Sequence, residues 1–434
     1  MIRPTILTFL LIFSHLAFAQ KLTKDEKKVV SIVDANMREA LDFLEKIVNI
    51  NSGTYNIAGV REVGDVFKSE LDALGFETKW IEMPADMKRA GHVFGEMKGE
   101  KGKKLLLMGH MDTVFEPAGD ATGFVRQDTI AFGPGTYDMK GGDMVLLFAL
   151  KALHEAKLLD GSQIIVAYHG DEEAAGRPIS VSRGDLIDAA KRSDIALSFE
   201  GNTGFEYATV ARRGSSGWAL TVTGNQAHSS RIFTPEVGAG AIYESARILH
   251  RFYEELQETN LTYSAGTIAG GTTIEMTGTG QQVAGKSNIV PNTVLIKGDL
   301  RFLSEEQKEN TRKKMSAIVE DHLPGTSAEI TFEDGYPAMS PTEGNMSVLK
   351  MLNQVSLDLS QGEVKPYDPG KRGAGDISFI AEYIDGLDGL GAMGKGSHSP
   401  EEYVDLTTLD SQIKRAAILI YRLSKEETGN NKGR

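Results

Sequence analysis

The chain has 434 residues, of which 41% are hydrophobic and 25% are charged, a composition that excludes a disordered protein. Its 60 acidic residues outnumber its 47 basic ones and give a net charge of -13. We find no basic stripe of the kind that nucleic-acid binding needs, so we expect no nucleic-acid partner. The length exceeds that of one ordinary core, and we therefore expect two domains.

The first residues have the features of a cleavable export signal. Arg3 supplies a positive charge, residues 6–13 form an apolar stretch, and Ala17-Phe18-Ala19 is a small-x-small cleavage site. The apolar stretch is too short to span a bilayer, so we do not favour an uncleaved anchor. We predict a signal peptide over residues 1–19, cleavage after Ala19, a periplasmic or secreted protein, and no stable membrane anchor afterwards.

The next part of the chain alternates helical and strand patterns. Apolar residues at helical spacing predict helices over residues 24–49 and 59–74, with Gly75 ending the second helix. Strands are predicted near residues 76–81, 92–97, 105–108, 164–168 and 195–199, with a helix over 143–155. This alternation predicts an α/β fold with a mixed, mostly parallel sheet and helices on both faces.

The pattern changes near residue 213. Residues 217–223 alternate as an antiparallel strand does, and then come a helix over 235–256, strands near 263–270 and 294–302, a helix over 304–323 and a strand near 328–334. This β-α-β-β-α-β order predicts an inserted ferredoxin-like α+β unit. We place the inserted lid or dimerisation domain at residues 213–325, between two parts of a catalytic domain at 20–212 and 326–434.

Candidate metal ligands follow short apolar runs. His110 follows residues 105–108, Glu172 and Glu173 follow 164–168, Glu200 follows 195–199, and His398 follows 389–393. An apolar run of this kind indicates a buried parallel strand, and open α/β sheets collect their chemistry beyond the strand ends. Imidazole and carboxylate ligands without thiolate suit zinc, cobalt or manganese. The number of carboxylates indicates two metals with a bridging ligand.

Each candidate also has a purely structural interpretation. Asp171-Glu172-Glu173 fits a solvated acidic loop, but its position after a strongly apolar strand argues against that interpretation. Because neighbouring residues of an extended chain point in opposite directions, Glu172 and Glu173 can divide the roles of proton acceptor and metal ligand. The remaining alternatives are a buried polar pair for His110 and Asp112, a surface residue for Glu200, and an exposed loop residue for His398.

In combination, the motifs resemble the co-catalytic zinc peptidase family of glutamate carboxypeptidases (carboxypeptidase G), aminoacylases, succinyl-diaminopimelate desuccinylases and di- and tripeptidases. The resemblance covers nearly the whole mature chain. It is carried by Gly109-His110-Met111-Asp112-Thr113-Val114, Gly135-Thr136-Tyr137-Asp138-Met139-Lys140-Gly141-Gly142, Asp171-Glu172-Glu173, Glu200 and His398.

The resemblance implies a zinc-exopeptidase fold with two Zn²⁺ per chain, for which cobalt or manganese can substitute. Asp138 would bridge the two ions, and Gly141-Gly142 would permit the close backbone approach that this position needs. His110 and Glu200 would complete one site, and Glu173 and His398 the other. Glu172 would be the general base, and Asp112 would accept the second ring N–H of His110.

The resemblance also assigns roles in the inserted unit. His228, in Gly224-Asn225-Gln226-Ala227-His228-Ser229-Ser230, would reach the active site of a partner subunit in a homodimer and stabilise the oxyanion. Asn288 and Arg301 would hold the free carboxylate of the substrate. Gly375 lies in a loop that would offer backbone N–H groups to an anion before an apolar helix, although the threonine or serine often found beside Asp376 in the family is missing.

We therefore expect a two-zinc carboxypeptidase or amidohydrolase that acts on small peptides or N-acyl amino acids. An aminoacylase, a dipeptidase of the same family, and a non-catalytic binding or assembly protein remain as alternatives. Glutamate at position 200 favours the carboxypeptidase and aminoacylase branches. A two-metal phosphoesterase would need more lysine and arginine near the metals. We assign the other histidines to structural positions: His154, His250 and His322 to helices, His92 to a strand, and His169 to a position facing away from the ligands.

Overall fold

A computed structural model describes residues 22–119, 123–277 and 280–426. The predicted signal peptide and its cleavage site lie outside these residues. The helices are α1 (Lys24–Val48), α2 (Ile57–Ala73), α3 (Lys140–Glu155), α4 (Ile179–Ser182), α5 (Gly184–Lys191), α6 (Ala241–Glu255), α7 (Glu305–Glu320), α8 (Glu343–Asp358) and α9 (Leu409–Leu423). None of the helices in these ranges is both long and apolar enough to cross a lipid bilayer.

The described strands form a six-stranded central sheet, a four-stranded sheet in the inserted unit, a second four-stranded sheet of short strands, and three two-stranded sheets. They are β1 (Glu77–Ile81), β2 (His92–Met97), β3 (Lys101–His110), β4 (Val125–Gln127), β5 (Ile130–Phe132), β6 (Ser162–His169), β7 (Ile195–Ser198), β8 (Tyr207–Ala208), β9 (Gly214–Gly224), β10 (Ala227–His228), β11 (Thr262–Gly271), β12 (Thr273–Thr277), β13 (Gly280–Ala284), β14 (Ile289–Val290), β15 (Thr293–Phe302), β16 (Thr326–Asp334), β17 (Lys365–Pro366), β18 (Asp385–Leu387), β19 (Gly394–Lys395) and β20 (Tyr403–Asp405).

The central sheet has six strands in the order β1-β2-β6-β3-β7-β18. Strands β6, β3, β7 and β18 run parallel to one another, whereas β1 and β2 pair in antiparallel fashion. The predicted mixed, mostly parallel α/β sheet is therefore confirmed. The carboxyl ends of β6, β3 and β7 lie side by side in the middle of the sheet.

Both faces of this sheet are covered, which explains why its strands are apolar without alternation. In β3, Leu105 and Leu107 pack into the core that α1, α2, α3 and α9 share, whereas Leu106 and Met108 pack on the opposite face against Leu186 of α5 and its neighbours. Helices α1, α3 and α9 contact one another beneath the first face. Packing on both faces therefore fixes the positions of the residues at the strand ends.

The inserted unit is a four-stranded antiparallel sheet in the order β11-β15-β9-β16, with α6 and α7 packed on it. Every second residue of β9 is buried, including Trp218, Leu220 and Val222, which join the apolar core beneath the two helices. This is the predicted ferredoxin-like arrangement. The predicted end of the unit at residue 325 is wrong, because β16 pairs with β9 along Thr326–Asp334 and belongs to the same sheet.

Two smaller expectations also fail. The segment that follows Gly375 is a short 3-10 helix over Asp376–Phe379 and not a longer apolar helix. His322 lies beyond the end of α7 at Glu320, where its Nδ1 is 3.7 Å from Glu244 Oε1. In addition, the hairpin of β12 and β13 between β11 and β15 has no counterpart in the prediction, because its strands are mostly exposed and carry little apolar alternation.

Candidate active site

Three of the central strands bring candidate ligands to one edge of the sheet. His110 is the last residue of β3, Glu172 and Glu173 follow β6 by a few residues, and Glu200 follows shortly after β7. His110 Nε2 is 3.6 Å from Glu200 Oε1 and 3.9 Å from Glu172 Oε2. The predicted position of these side chains beyond neighbouring parallel strand ends is confirmed.

The other two candidate ligands come from a different sheet. Asp138 follows β5, and His398 lies in the loop between β19 and β20, within a four-stranded sheet of order β19-β20-β5-β4. The apolar run at residues 389–393 is not a strand of the central sheet, so the strand-end argument was wrong for His398. His398 adopts a left-handed backbone conformation, with φ of 62°.

Asp138 lies between the two histidines. Its Oδ1 is 3.3 Å from His110 Nε2, and its Oδ2 is 3.4 Å from His398 Nε2. His398 Nε2 is also 3.0 Å from Glu173 Oε2. One carboxylate therefore faces both halves of the cluster, which is the geometry that a bridging ligand requires. We call His110, Asp138, Glu172, Glu173, Glu200 and His398 the ligand cluster.

Close backbone packing at the start of α3 allows Asp138 to lie between the two histidines. A Cβ atom on Gly141 would lie 2.2 Å from Thr136 O, and one on Gly142 would lie 1.9 Å from Phe199 O. Since real Cβ atoms do not approach backbone this closely, both positions require glycine. The start of α3 can therefore press against the end of β7, next to Glu200.

The donor atoms of the ligand cluster fit divalent cations. The atoms of His110, Glu172 and Glu200 lie within 4.8 Å of one another, and so do those of His110, Asp138 and Glu173. His110 Nε2 and Glu173 Oε1 are buried and make no hydrogen bond to the described residues. Nitrogen and carboxylate oxygen donors at such spacing suit zinc and similar ions.

The electrostatics of the ligand cluster also favour the binding of cations. Burial raises the pKa of Glu200 to about 7, and nearby Asp138 adds to this increase. Burial likewise raises the pKa of Glu172 and of Glu173 above the usual range. Hydrogen bonds to Asp138 and Glu173 raise the pKa of His398 to about 10. Carboxylates that are crowded and desolvated in this way bind a cation in place of protons, so metal affinity should fall at acidic pH.

Asp112 supports the cluster differently from the prediction. The ring Nδ1 of His110 donates to the backbone carbonyl of Asp112 at 3.1 Å, while the Asp112 carboxylate lies slightly farther away at 3.4 Å. The carboxylate instead accepts from the backbone N–H groups of Glu172 (3.0 Å) and Glu173 (3.1 Å) and from the hydroxyl of Thr54 (2.6 Å). Asp112 thus fixes the turn that carries Glu172 and Glu173, and the carbonyl leaves Nε2 of a neutral His110 free for a metal.

The third acidic residue of the motif points away from the ligands. Arg183 Nη1 donates to Asp171 Oδ1 at 2.5 Å, and Arg183 Nε donates to Asp376 Oδ1 at 2.7 Å. His169 is buried and hydrogen-bonded through Nδ1 to the other oxygen of Asp376. The three adjacent acidic side chains therefore diverge, which limits their repulsion. The prediction that His169 faces away from the ligands agrees with this contact.

The residue predicted to stabilise the oxyanion, His228, and the residues predicted to bind substrate, Asn288, Arg301 and Gly375, lie in three places. His228 pairs with Ile289, and Ser229 donates from its backbone to Asn288 O, so His228 and Asn288 are neighbours on the surface of the inserted unit. Within the described ranges, neither side chain hydrogen-bonds to the ligand cluster, and the His228 ring contacts the Ser230 hydroxyl at 2.9 Å. Arg301 on β15 is partly exposed and donates to Asp299 at 2.7 Å.

The loop that contains Gly375 is backed by a buried arginine. Arg212 pairs with Asp388 and donates to the carbonyl of Ala374 at 2.6 Å. A Cβ atom on Gly375 would lie 2.2 Å from the Arg212 guanidinium. A side chain at this position would therefore have to displace the Arg212 guanidinium from its contacts with Asp388 and Ala374, a packing role that the sequence prediction did not include.

Sequence reasoning also missed contacts between the linkers and the site. The Tyr336 hydroxyl donates to the backbone carbonyl of Glu172 at 3.0 Å. Tyr336 lies in the segment that leads from β16 back to the catalytic part, where Arg212 and Met339 pair through both of their backbone groups. A lone tyrosine in a linker carries no sequence signal for such a contact, since only the fold brings it beside Glu172.

Comparisons with known proteins point to one family. A model of peptidase family M20/M25/M40 matches residues 106–426. Carboxypeptidase G2 of Pseudomonas sp. (strain RS-16) is 30% identical over 388 residues, which cover 88% of this chain and 88% of that protein. A succinyl-diaminopimelate desuccinylase of Cupriavidus necator is 24% identical over 369 residues, which cover 80% of this chain and 89% of that protein.

A solved structure has the same fold. The aminopeptidase PepT from Bacillus cereus ATCC 10987 matches with a TM-score of 0.70 at 18% identity, over 90% of this chain and 99% of that chain. The family match and the relatives support hydrolase activity with a metal centre of two ions. The chain belongs to peptidase family M20/M25/M40.

Proposed function

We propose that this hydrolase is a zinc carboxypeptidase that releases a C-terminal amino acid from small peptides or N-acyl amino acids. The observation that carries the proposal is the position of Asp138, with one oxygen toward His110 and the other toward His398. The similarity to carboxypeptidase G2 favours a carboxypeptidase over the other activities of the family. Five residues would hold the ions: His110, Asp138, Glu173, Glu200 and His398.

The residues around these ions would divide the chemical work. Two bound ions would act as Lewis acids and lower the pKa of a water molecule toward neutrality. Glu172 would accept the proton of the attacking water and pass it to the leaving amine. The hydrogen bonds that Asp112 accepts from Glu172 and Glu173 would hold both residues in place during this transfer.

Recognition of the substrate carboxylate would come from the inserted unit. The guanidinium of Arg301 can bind a carboxylate through two parallel hydrogen bonds. Asn288 lies beside His228 at the opposite end of the four-stranded sheet from Arg301, so Asn288 of the partner subunit would add a further polar contact. Arg301 donates to Asp299, so the substrate would have to compete with that carboxylate. These contacts would position the substrate without taking part in the chemistry.

We also propose a homodimer through the inserted unit. Its edge strand β11 has one neighbour in the four-stranded sheet, β15, and exposes Ile268, while α6 exposes Tyr243 and Tyr253. Such an edge and apolar surface require a cover, and a two-fold dimer would supply one. His228 of the partner subunit would then donate to the tetrahedral oxyanion, a contact worth about 3–4 kcal/mol in related chemistry.

The cellular location is a further proposal. The first residues favour export with cleavage after Ala19, to the periplasm or outside the cell. Mass spectrometry of the protein purified from its natural host should give a mature chain that begins at Gln20. An intact chain that still carries Arg3 would refute the cleavage.

A hydrolysis screen tests the function itself. The protein is stripped with a chelator, reloaded with zinc, cobalt or manganese, and assayed on C-terminal Glu and Asp peptides, other dipeptides and N-acyl amino acids. We expect zinc-dependent release of a C-terminal amino acid. Preference for N-acetyl amino acids would indicate an aminoacylase, preference for unblocked dipeptides would indicate a dipeptidase, and no turnover by metal-loaded protein would favour the binding-protein alternative.

A further inference from the structure

A buried glutamate near the ligand cluster has no place in the proposed chemistry. The Glu402 side chain is almost fully buried, with 1% of the residue's surface exposed, and it belongs to the loop between β19 and β20 that also carries His398. Its Oε1 accepts from the backbone N–H groups of Tyr137 and Asp138, each at 2.8 Å, and its Oε2 accepts from that of Gly135 at 3.2 Å.

This carboxylate occupies a concave group of amides. Backbone N–H groups that converge in a turn form a site for an anion. Here the acceptor is a carboxyl side chain from a distant part of the sequence, and it satisfies three N–H donors that have no other hydrogen-bond partner among the described residues. The backbone of the turn that carries Asp138 therefore surrounds the Glu402 carboxyl group and donates to it.

Glu402 is also fixed from its own side. Strand β20 pairs with β5 at Tyr403 and Phe132, and the backbone N–H of Gly133 donates to Glu402 O at 3.2 Å. The backbone N–H of Glu402 donates to Ser399 O at 3.0 Å, which closes the turn directly after His398. The residue thus contacts the Asp138 turn through its side chain and the His398 turn through its backbone.

The His398 turn needs such an anchor. The His398 side chain is 58% exposed, and its backbone has a positive φ that non-glycine residues seldom adopt. Yet His398 Nε2 lies 3.4 Å from Asp138 Oδ2 and 3.0 Å from Glu173 Oε2. An exposed ring on a turn of this kind holds its position only if the turn itself is fixed relative to Asp138.

We propose that Glu402 is a positioning residue that joins the His398 turn to the Asp138 turn and thereby sets the affinity of the metal site that these two residues share. This inference rests on the proposed two-metal function. Residues that orient metal ligands typically change metal affinity or activity by about 10–100-fold when they are replaced.

The test compares zinc binding by the full chain, its Glu402→Gln variant and its Glu401→Gln variant. The substitution Glu402→Gln would present a side-chain NH2 group to a backbone N–H in place of an acceptor, whereas Glu401 is exposed and the same charge change there serves as the control. Zinc affinity is measured by competition with a chelator, without substrate. We expect the weaker-binding zinc to lose about 10–100-fold in affinity in Glu402→Gln and to be unchanged in Glu401→Gln.

A second readout separates positioning from general stabilisation. Melting temperatures are measured for the metal-free protein and across a zinc titration. A positioning role predicts that the zinc concentration needed for half of the metal-induced stabilisation rises in Glu402→Gln, and that excess zinc restores most of kcat without a change in KM. A lower melting temperature of the metal-free protein with unchanged zinc dependence would overturn the proposal.

Two further arrangements keep the test decisive. If Glu402→Gln does not fold, Glu402→Asp is used, because it keeps the charge but cannot reach all three amides, and the same loss of zinc affinity is expected. If the unsubstituted protein binds two zinc ions but cleaves none of the screened substrates, the proposed substrate class fails while this inference stands. Equal zinc affinity in all variants would refute the positioning role of Glu402 and would leave the proposed substrate class unaffected.

Discussion

At the scale of single residues, the turn after β6 separates tasks among adjacent side chains. Asp171 faces Arg183, Glu172 faces His110, and Glu173 faces His398. The Asp112 carboxylate fixes the backbone of this turn. Because Glu172 Oε2 is 3.9 Å from His110 Nε2, its distance alone does not distinguish a base from a metal ligand, and an experiment has to separate the two roles.

Replacing Glu172 with glutamine tests the assignment of the base. Glu172→Gln removes the proton acceptor but keeps the size of the side chain, so kcat should fall by about 10²–10⁴-fold while two zinc ions remain bound. Glu173→Gln is the matched control and should lose zinc. Activity assays and elemental analysis of both variants give the answer. Loss of zinc from Glu172→Gln instead would mean that the two roles are exchanged.

Arg301 provides a test of substrate recognition at the same scale. If its guanidinium binds the C-terminal carboxylate, Arg301→Ala should lose most of its activity on free-acid peptides, and Arg301→Lys should recover only part because it lacks the paired donors. Peptides with an amidated C-terminus should already be poor substrates for the unsubstituted protein. Equal kcat/KM on acid and amide forms of one peptide would rule out this contact.

At the scale of elements, the first and last described helices hold each other in place. Thr23 and Glu26 form a capping box at the start of α1, and the Glu26 carboxylate also accepts from Arg422 of α9 at 2.7 Å. Burial raises the pKa of Glu26, but the hydrogen bonds from Arg422 and Thr23 lower it by more. The pKa of Glu26 is therefore lowered overall. The contact joins two helices of the layer that packs against one face of the central sheet.

Glu26→Gln should therefore lower the free energy of unfolding by about 1–2 kcal/mol at pH 7. Since the pKa of Glu26 is lower in the folded than in the unfolded state, its contribution is complete above the unfolded value of 4.5 and is lost as the pH falls through the folded value. Urea unfolding of metal-free protein at pH 7 and at several pH values below 4.5 measures the change. Asp42→Asn, at an exposed position on α1, is the control and should have little effect. A destabilisation of Glu26→Gln that persists undiminished at the lower pH values would contradict the ionic origin.

At the scale of the whole molecule, His228 is far in sequence from the ligand cluster. This raises the question of whether His228 would act at the cluster of its own chain or at that of a partner subunit. His228 is exposed on the inserted unit and contacts Ser230, without a hydrogen bond to the cluster among the described residues. A homodimer through the inserted unit would explain how a histidine in this position can take part in catalysis.

Complementation tests the dimer. A His228→Ala chain and a Glu172→Gln chain should each be inactive alone. After subunit exchange, each mixed dimer has one site with an intact Glu172 and a histidine from its partner, so roughly a quarter of the unsubstituted activity should return if exchange is random. Exchange is monitored by mass spectrometry of differently labelled chains. No recovery despite demonstrated exchange would mean that His228 does not act across a subunit interface.

The sequence by itself determined most of the longer elements and most of the candidate site. Continuous apolar runs predicted buried strands, helical spacing predicted α1 and α3, and polar residues directly after those runs predicted where His110, Glu173 and Glu200 would meet. These predictions succeeded because each depends on local periodicity and on the rule that parallel strands end at the same edge. The β-α-β-β-α-β order likewise determined the type of the inserted unit but not its end.

Only the tertiary structure decided which groups position the ligands. Glu402 contacts the Asp138 turn across 264 to 267 residues of sequence, and Tyr336 contacts the carbonyl of Glu172 across 164. Nothing in the local pattern marks a buried glutamate whose partners are backbone N–H groups, because every residue except proline offers the same donor. Contacts of this kind arise when distant segments pack together, and for that reason the sequence predicted the ligands while the fold revealed what holds them.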